Sequence, residues 1–122
     1  SNPFLPHHYP ENCVAYTGTH DNDTARGWYD SASEHEKDFA RRYMGVDGSN
    51  IAWDLIHTLW HSRAALALAP LQDFLNLGTE ARMNYPGRLG GNWGWRVRKS
   101  ALSDELKEKL RDLNEKTDRV IA

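Results

Sequence analysis

Apolar residues form two short continuous runs along this chain. The first, residues 13–17 (CVAYT), is rich in β-favouring side chains and ends at a glycine, so it predicts a strand that is buried on both faces. The second, residues 65–72 (ALALAPLQ), fits either the continuation of a helix or a second buried strand. Pro70 favours a boundary in this run, and the polar Gln72 and Asp73 resemble the exit from a strand.

Helical periodicity covers other segments of the chain. Ser31 and Ser33 each stand three residues before a Glu, which is the spacing of a capping box, and the helix that they predict stops near Gly45. A second helix begins after Ser49 or Asn50 and carries one stripe at the spacing i, i+3, i+4 and i+7. The residues of this stripe are Ala52, Leu55, Ile56, Leu59, Trp60 and Arg63.

The last predicted helix begins at Ser103 and has a leucine stripe at Leu106, Leu110 and Leu113. Before it, residues 77–95 form a long irregular loop that is rich in glycine. The predicted order is strand, loop, two helices, strand, long loop and helix, which makes two consecutive βα units with adjacent parallel strands. Two parallel strands are too few to cover their own faces, so the pattern indicates part of a larger fold.

Composition narrows the class of protein. Of the 122 residues, 39% are hydrophobic and 26% are charged, and the net charge is -2, which fits a globular domain without a basic surface for nucleic acid or an anionic membrane. No apolar run reaches the roughly 20 residues that cross a bilayer, and no leader-like segment opens the chain. Five Trp and five Tyr serve either core packing or stacking on a sugar or other planar ligand. A single cysteine, Cys13, suits a reducing compartment, so we expect a cytoplasmic protein.

The two predicted strands end where the polar loops begin. The loop THDND, residues 19–23, follows the first strand, and the loop that starts near Gln72 follows the second. In parallel β/α folds the carboxyl ends of the strands lie at one edge and hold the site. We therefore expect the polar residues of both loops to converge.

Three hypotheses compete for the polar loop. His20, Asp21 and Asp23, joined by His7 or His8, would hold a divalent cation, although their spacing matches no known metal motif. Asp23 alone would cap the helix that follows the loop. His20 and Asp21 would donate and accept hydrogen bonds with adjacent hydroxyls of a sugar.

The second loop offers another polar and aromatic set. This set fits either ligand contacts or a glycine-rich loop whose Asn side chains support its own turns. Its members are Arg82, Asn84, Asn92, Trp93 and Arg96. His57 and His61, four residues apart on a predicted helix, form either a metal-binding pair or, as is more common, a solvated pair.

Four ordered sequence blocks carry a resemblance to a known family. They are NPFLPHHY near the start, YTGTHDND with GWY after it, APLQD followed by LNLGTEARMNYPG, and GNWGWR. Together, from about Asn2 to Arg98, they resemble the carboxyl-terminal part of the 4-alpha-glucanotransferases, also called amylomaltases or disproportionating enzymes. Tyr85 and Ala25 depart from the family pattern, in which a small residue such as Thr and a second Thr are common at these positions.

The resemblance implies an α/β fold, the carboxyl-terminal β-α-β-α portion of a (β/α)8 TIM-type barrel, helix-rich and incomplete as a barrel. It implies transfer of alpha-1,4-glucan segments with retention of configuration, without a metal or another cofactor. Asp21 would be the catalytic carboxylate that stabilises the transition state, and His20 would bind the same sugar. The other substrate-binding residues that the resemblance implies are Asn84, Asp73, Trp28 and Trp93.

The nucleophilic Asp and the acid/base Glu of that family lie on earlier strands, outside residues 1–122. Retaining catalysis needs two carboxyl groups about 5 Å apart, and the spacing of Asp21, Asp73 and Glu80 supports no such pair. We therefore expect residues 1–122 to be a single fragment, the last two βα units, which is inactive alone and has alpha-1,4-glucans and the remainder of the barrel as partners. The alternative is a non-catalytic glucan-binding or assembly module. Open strand edges also predict self-association.

Overall fold

The computed structural model describes residues 5–119. The elements within this range are β1 (Val14–Tyr16), α1 (Ala25–Ser31), α2 (Glu34–Met44), α3 (Ile51–Trp60), β2 (Leu66–Leu68), α4 (Leu71–Phe74) and α5 (Asp104–Lys116). Short 3-10 turns at Pro6–His8, Thr79–Ala81 and Lys99–Ala101 lie in the connecting segments. Across residues 5–119, no helix combines the length and the apolar character that a membrane span requires.

The two strands form an adjacent parallel pair, as predicted, with Ala15 opposite Ala67. Ala15 faces the helices and is only 4% exposed. The side chains on the other face are each 50–53% exposed, and they are Val14, Tyr16, Leu66 and Leu68. The predicted burial of the strand on both faces is therefore wrong for the described residues, because successive side chains alternate between a helix-covered face and an open one.

Helix α3 supplies most of the core, as its stripe predicts. Ile51, Ala52 and Ile56 are fully buried, and burying one Ile side chain contributes roughly 1.5–3 kcal/mol. The helix packs against the strands and α5 in one cluster, formed by Ala15, Ile56, Leu59, Trp60, Ala64 and Leu113. This cluster fixes the side of the sheet on which the helices lie.

Trp60 connects α3 with α4 and α5. Its indole Nε1–H donates to Asn114 Oδ1 on α5 at 2.9 Å, and its ring meets Phe74 of α4 edge-on, with 5.9 Å between the ring centroids. The predicted stripe reaches Arg63, but α3 ends at Trp60. Arg63 instead forms an exposed ion pair with Glu11 at 3.4 Å, which contributes little to stability.

Hydroxyl side chains start the helices α1, α2 and α5. Thr24 accepts a hydrogen bond from the backbone N–H of Gly27 at 3.0 Å, and Ser33 accepts one from Glu36 at 3.2 Å. Ser103 caps α5 in the same way. The predicted caps at Ser33 and Ser103 are confirmed.

Two other predicted caps are wrong. Ser31 is the last residue of α1, and its hydroxyl donates to the carbonyl oxygen of Gly27 at 3.0 Å because the chain is already helical there. Asn50 stands at the start of α3, but its side chain makes no capping hydrogen bond. The predicted stop at Gly45 is confirmed, since this residue ends α2 with a left-handed φ of 69°.

A short helix replaces the predicted exit from the second strand. Only Leu66–Leu68 of the ambiguous run is a strand, and the boundary at Pro70 is confirmed. Pro70 has no N–H to lose and its φ suits a helix start, so the chain turns directly into α4. Gln72 and Asp73 therefore lie on a helix, where both are buried.

Gly27 lies in α1 at a point where a side chain would collide with its neighbours. A Cβ there would meet Thr79 Oγ1 and both carboxylate oxygens of Asp23. Replacing a helical glycine by alanine ordinarily stabilises a protein by about 0.5–1 kcal/mol. Here we expect Gly27→Ala to lower the free energy of unfolding by about 1–3 kcal/mol because of overpacking, as measured by urea denaturation.

Gly94→Ala is the matched control for this measurement. A Cβ at Gly94 would meet no atom within 4 Å, so we expect a change within about 0.5 kcal/mol. If Gly27→Ala were as stable as the unchanged chain, the close approach of Asp23 and Thr79 to α1 would not constrain the fold.

Candidate functional site

A buried carboxylate anchors the loop after β1. Asp73 on α4 is 2% exposed; its Oδ2 accepts from the Thr17 hydroxyl at 2.5 Å and its Oδ1 accepts from the Ala25 backbone N–H at 2.9 Å. Thr17 directly follows β1, and Ala25 is the first residue of α1. Asp73 thus holds both ends of residues 18–24 through charge-assisted hydrogen bonds.

Asp23 connects this loop with the loop after β2. Its Oδ1 accepts from the Thr24 backbone N–H at 2.7 Å, and its Oδ2 accepts from the Thr79 hydroxyl at 2.9 Å. The predicted role of Asp23 as a helix cap is wrong, because Thr24 occupies the N-cap of α1 and its own side chain bonds Gly27. Asp23 joins two loops instead of satisfying a helix end.

The side chain of Asp21 meets the second loop, as the strand-end argument predicts. Asn84 Nδ2 donates to Asp21 Oδ1 at 2.6 Å, and His20 Nε2 lies 3.3 Å from the same oxygen. Arg82 Nη2 donates to the backbone oxygen of Asp21 at 2.7 Å. The Asp21 side chain is nevertheless 47% exposed, so its carboxylate is both held in place and open to a ligand.

Trp93 lies beside His20 on a strained backbone. Its φ is 62°, which lies in the left-handed region. This conformation costs a bulky residue about 1–2 kcal/mol. Its N–H donates to the carbonyl oxygen of Met83 at 2.6 Å, and the centroids of the Trp93 and His20 rings are 5.1 Å apart. Backbone strain of this kind is concentrated at functional sites in proteins.

The remaining polar residues of the second loop support its own backbone. Asn92 Oδ1 accepts from the Tyr85 N–H at 2.9 Å, and Asn92 Nδ2 donates to the Arg88 carbonyl oxygen at 3.0 Å. Arg96 donates to the carbonyl oxygen of Trp93 at 2.8 Å. For Asn92, the hypothesis of an asparagine that supports its own turn is confirmed.

A polar cleft of about 200 Å³ opens beside these residues. Its walls include His20, Asn22, Asp23, Asp73, Arg82 and Trp93. Pockets for small molecules usually enclose roughly 300–1,000 Å³. The cleft formed by the described residues is therefore smaller than a typical small-molecule pocket.

Two predicted ligand contacts lie elsewhere or are engaged. Trp28 on α1 lines a separate apolar groove of about 440 Å³ together with Tyr16 and Phe39. Asp73 lines the polar cleft, but both of its oxygens accept hydrogen bonds from within the chain. Asp73 is almost completely buried and Trp28 lies in another groove, so direct binding of a sugar by either residue stays a prediction.

Thr17 and Thr79 are the functional-site residues that the sequence reading missed. Their hydroxyls donate to the carboxylates of Asp73 and Asp23, and each of these hydrogen bonds joins residues that are 56 positions apart. In the sequence, the only signal for a role in the site is the position of each residue, with Thr17 at the end of a predicted strand and Thr79 in a long loop. It does not identify a partner so far away in the chain.

The histidine pair at the carboxyl end of α3 lies outside the polar cleft, with His57 in the helix and His61 directly after it. The ring centroids of His57 and His61 are 4.1 Å apart, and partial burial, reinforced by the neighbouring charge of His61, lowers the pKa of His57. His7 contacts the Tyr43 hydroxyl through Nδ1 at 2.5 Å. Within residues 5–119, no three His, Cys, Asp or Glu side chains are arranged to hold a metal ion.

Fold and site together define an α/β protein with a polar cleft, edged by an indole ring, at the carboxyl ends of parallel strands. The family model described as 4-alpha-glucanotransferase matches residues 1–103. The chain therefore belongs to the 4-alpha-glucanotransferase family, and the resemblance of its four sequence blocks is confirmed.

Similar proteins agree with this assignment. The chain is 50% identical to the 4-alpha-glucanotransferase of Thermus thermophilus, in an alignment that covers 98% of this chain and 25% of that protein. It is 47% identical to the chloroplastic/amyloplastic 4-alpha-glucanotransferase of Arabidopsis thaliana, over 92% of this chain and 20% of that protein. The structure of amylomaltase from Streptococcus agalactiae in complex with acarbose matches with a TM-score of 0.90 at 33% identity, over 95% of this chain and 24% of that one. The chain spans a quarter or less of the length of these relatives.

The Asp73 anchor makes a prediction about stability. Asp73→Asn keeps the size of the side chain but turns an NH2 group toward one of the two donors, Thr17 or Ala25. We expect the free energy of unfolding to fall by about 1–3 kcal/mol because one buried donor loses its acceptor, as measured by chemical denaturation.

Asp112→Asn is the control, since this exposed residue of α5 pairs with Lys116 at 2.9 Å and with no other side chain among residues 5–119. We expect it to change stability by less than about 0.5 kcal/mol. Equal losses for the two variants would mean that the buried hydrogen bonds of Asp73 do not anchor the loop.

Proposed function

We propose that this chain forms one wall of a 4-alpha-glucanotransferase active site, in which Asp21 stabilises the transition state. The observation that carries the proposal is the Asp21 carboxylate, which is fixed by Asn84 at 2.6 Å and still 47% exposed. Glucan transfer passes through a transition state with positive charge on the sugar ring. A fixed carboxylate beside that charge lowers the barrier without having to reorganise.

The same cluster supplies contacts for the sugar. His20 and Asn84 flank the Asp21 carboxylate and carry ring and amide N–H groups, which suit adjacent sugar hydroxyls. Trp93 presents an indole that is 50% exposed beside His20, and a sugar ring packs well on such a surface. The amylomaltase with the same local fold is a complex with acarbose, which supports a carbohydrate ligand here.

The open face of the sheet supports a partner within a larger enzyme. Val14, Tyr16, Leu66 and Leu68 are half exposed on one side of a two-stranded parallel sheet. Parallel sheets are covered on both faces in stable folds. We propose that the remaining strands of a (β/α)8 barrel cover this face and bring the nucleophilic Asp and the acid/base Glu for retaining transfer of alpha-1,4-glucan segments.

The alternative function is a non-catalytic glucan-binding or assembly module, which the exposed apolar face also favours. Self-association through the open edge of β1 would extend the sheet without a catalytic partner. For location, we propose the cytoplasm, supported by the free thiol of Cys13. The Arabidopsis thaliana relative, described as chloroplastic/amyloplastic, makes a plastid the alternative.

Asp21→Asn tests the proposed role in the full-length protein in which this sequence occurs. Asparagine keeps an oxygen for the Asn84 amide but removes the negative charge. We expect transfer from maltotriose to fall by at least about 100-fold in kcat, measured by the release of glucose and longer maltooligosaccharides.

Asp30→Asn, on the exposed side of α1, is the matched control and should retain full activity, because within the described part of the chain Asp30 pairs with Arg26 alone, at 3.3 Å. Undiminished transfer by Asp21→Asn would refute the proposed role of Asp21.

The isolated chain provides a second test of the proposal. In the proposed scheme, the two carboxylates of the retaining reaction lie outside residues 1–122. We therefore expect the isolated chain to convert no maltotriose into longer oligosaccharides. Chromatography of the products after long incubation measures this. Transfer by the isolated chain, abolished by Asp21→Asn, would place the whole reaction within these residues.

A further inference from the structure

Arg82 donates hydrogen bonds to the main chains of Asp21 and Asn84, and the side chains of these two residues also bond each other. Its Nη2 donates to the Asp21 carbonyl oxygen at 2.7 Å, and its Nε donates to the Asn84 carbonyl oxygen at 3.0 Å. The Asn84 amide in turn donates to the Asp21 carboxylate at 2.6 Å. One guanidinium group therefore closes a ring of contacts that joins the loop after β1 to the loop after β2.

The plane of the guanidinium is held by an aromatic ring. The Cζ atom of Arg82 lies 4.3 Å from the centroid of the Tyr85 ring, and Arg88 contacts the same ring at 4.5 Å. A planar guanidinium with fixed donor directions suits such a stacked and doubly bonded position, whereas a lysine would bond one oxygen at a time. Of these two arginines, Arg82 is the one that bonds Asp21 and Asn84.

Arg82 holds the position of Asp21 without cancelling its charge. Within residues 5–119, Arg82 forms no ion pair with a carboxylate, and its recorded hydrogen bonds go to carbonyl oxygens. The carboxylate of Asp21 keeps its negative charge and its exposure, with His20 and Asn84 as its neighbours. This arrangement suits a carboxylate that must face a developing positive charge.

We propose that Arg82 is a positioning residue, which fixes Asp21 and Asn84 relative to each other and thereby sets the direction of the half-exposed Asp21 carboxylate. Its effect on catalysis rests on the proposed function of Asp21. Its effect on the geometry does not. A displacement of about 1 Å at a catalytic group costs on the order of 100-fold in rate, so the loss of Arg82 has a measurable consequence through the position of Asp21.

The first experiment measures the geometry in this chain. Arg82→Met and Arg88→Met each remove one guanidinium from the Tyr85 ring, but only the first removes the bonds to the Asp21 and Asn84 carbonyl oxygens. We expect hydrogen exchange of the Asn84 side-chain amide, followed by nuclear magnetic resonance, to accelerate about tenfold in Arg82→Met and to stay unchanged in Arg88→Met. Equal exchange in the two variants would overturn the proposal.

The second experiment measures transfer from maltotriose in the full-length protein. We expect Arg82→Met to lower kcat about 100-fold with little change in KM, while Arg88→Met keeps both values. Arg82→Lys should recover part of the rate. Guanidinium chloride at low millimolar concentration should partly restore the activity of Arg82→Met, whereas sodium chloride at the same ionic strength should not. Such rescue would show that the variant is folded.

The outcomes separate this inference from the proposed function. If Asp21→Asn abolishes transfer and Arg82→Met keeps the wild-type kcat, the positioning role of Arg82 is wrong and the role of Asp21 stands. If Asp21→Asn retains full transfer while Arg82→Met still accelerates exchange at Asn84, the proposed function fails and the geometric role of Arg82 stands. A purely structural role of Arg82 predicts a different result, which would overturn the proposal. Arg82→Met would then have a lower unfolding temperature, its KM and kcat would change together, and guanidinium would not restore its activity.

Discussion

A carboxylate that is almost completely buried is tolerated only when donors satisfy its oxygens, and the arrangement around Asp73 depends on this requirement. Its two donors, the Thr17 hydroxyl and the Ala25 N–H, stand at opposite ends of the polar loop, so satisfying the charge also fixes the loop. Asp23 then joins this loop to Thr79, and Asn84 reaches Asp21 across the same junction. The position of the polar loop beside the cleft thus depends on a buried charge.

These connections lie within the chain, between β1 and the end of the second loop. The residues that hold Asp21 do not depend on another part of a larger enzyme for their hydrogen bonds. The open apolar face of the sheet is a different case, because its half-exposed side chains have no cover among residues 5–119. The chain therefore combines a pre-organised polar edge with an apolar sheet face that is half exposed. This combination fits a chain that spans about a quarter of the length of its Thermus thermophilus relative.

Periodicity in the sequence predicts α2, α3, α5 and the parallel strand pair, because each depends on local spacing and apolar burial. It fails at the polar residues that are packed by distant partners. Asp23 resembles a helix cap next to α1, but a hydroxyl 56 residues away is its other partner. Nothing in the identity of Trp93 marks it as left-handed either, since bulky residues avoid that region, and its N–H bonds the carbonyl oxygen of Met83. The family resemblance predicts which residues face a ligand, and the structure shows which contacts hold them.

The left-handed backbone of Trp93 has a consequence for protein engineering. Glycine or asparagine relaxes this conformation at little steric cost, so selection for heat resistance alone favours variants without the indole. Such variants would survive a thermal screen and leave His20 without its aromatic neighbour. If Trp93 binds the sugar as proposed, a library built on this scaffold has to be sorted for carbohydrate turnover and thermostability together, because the two traits then select opposite side chains at this residue.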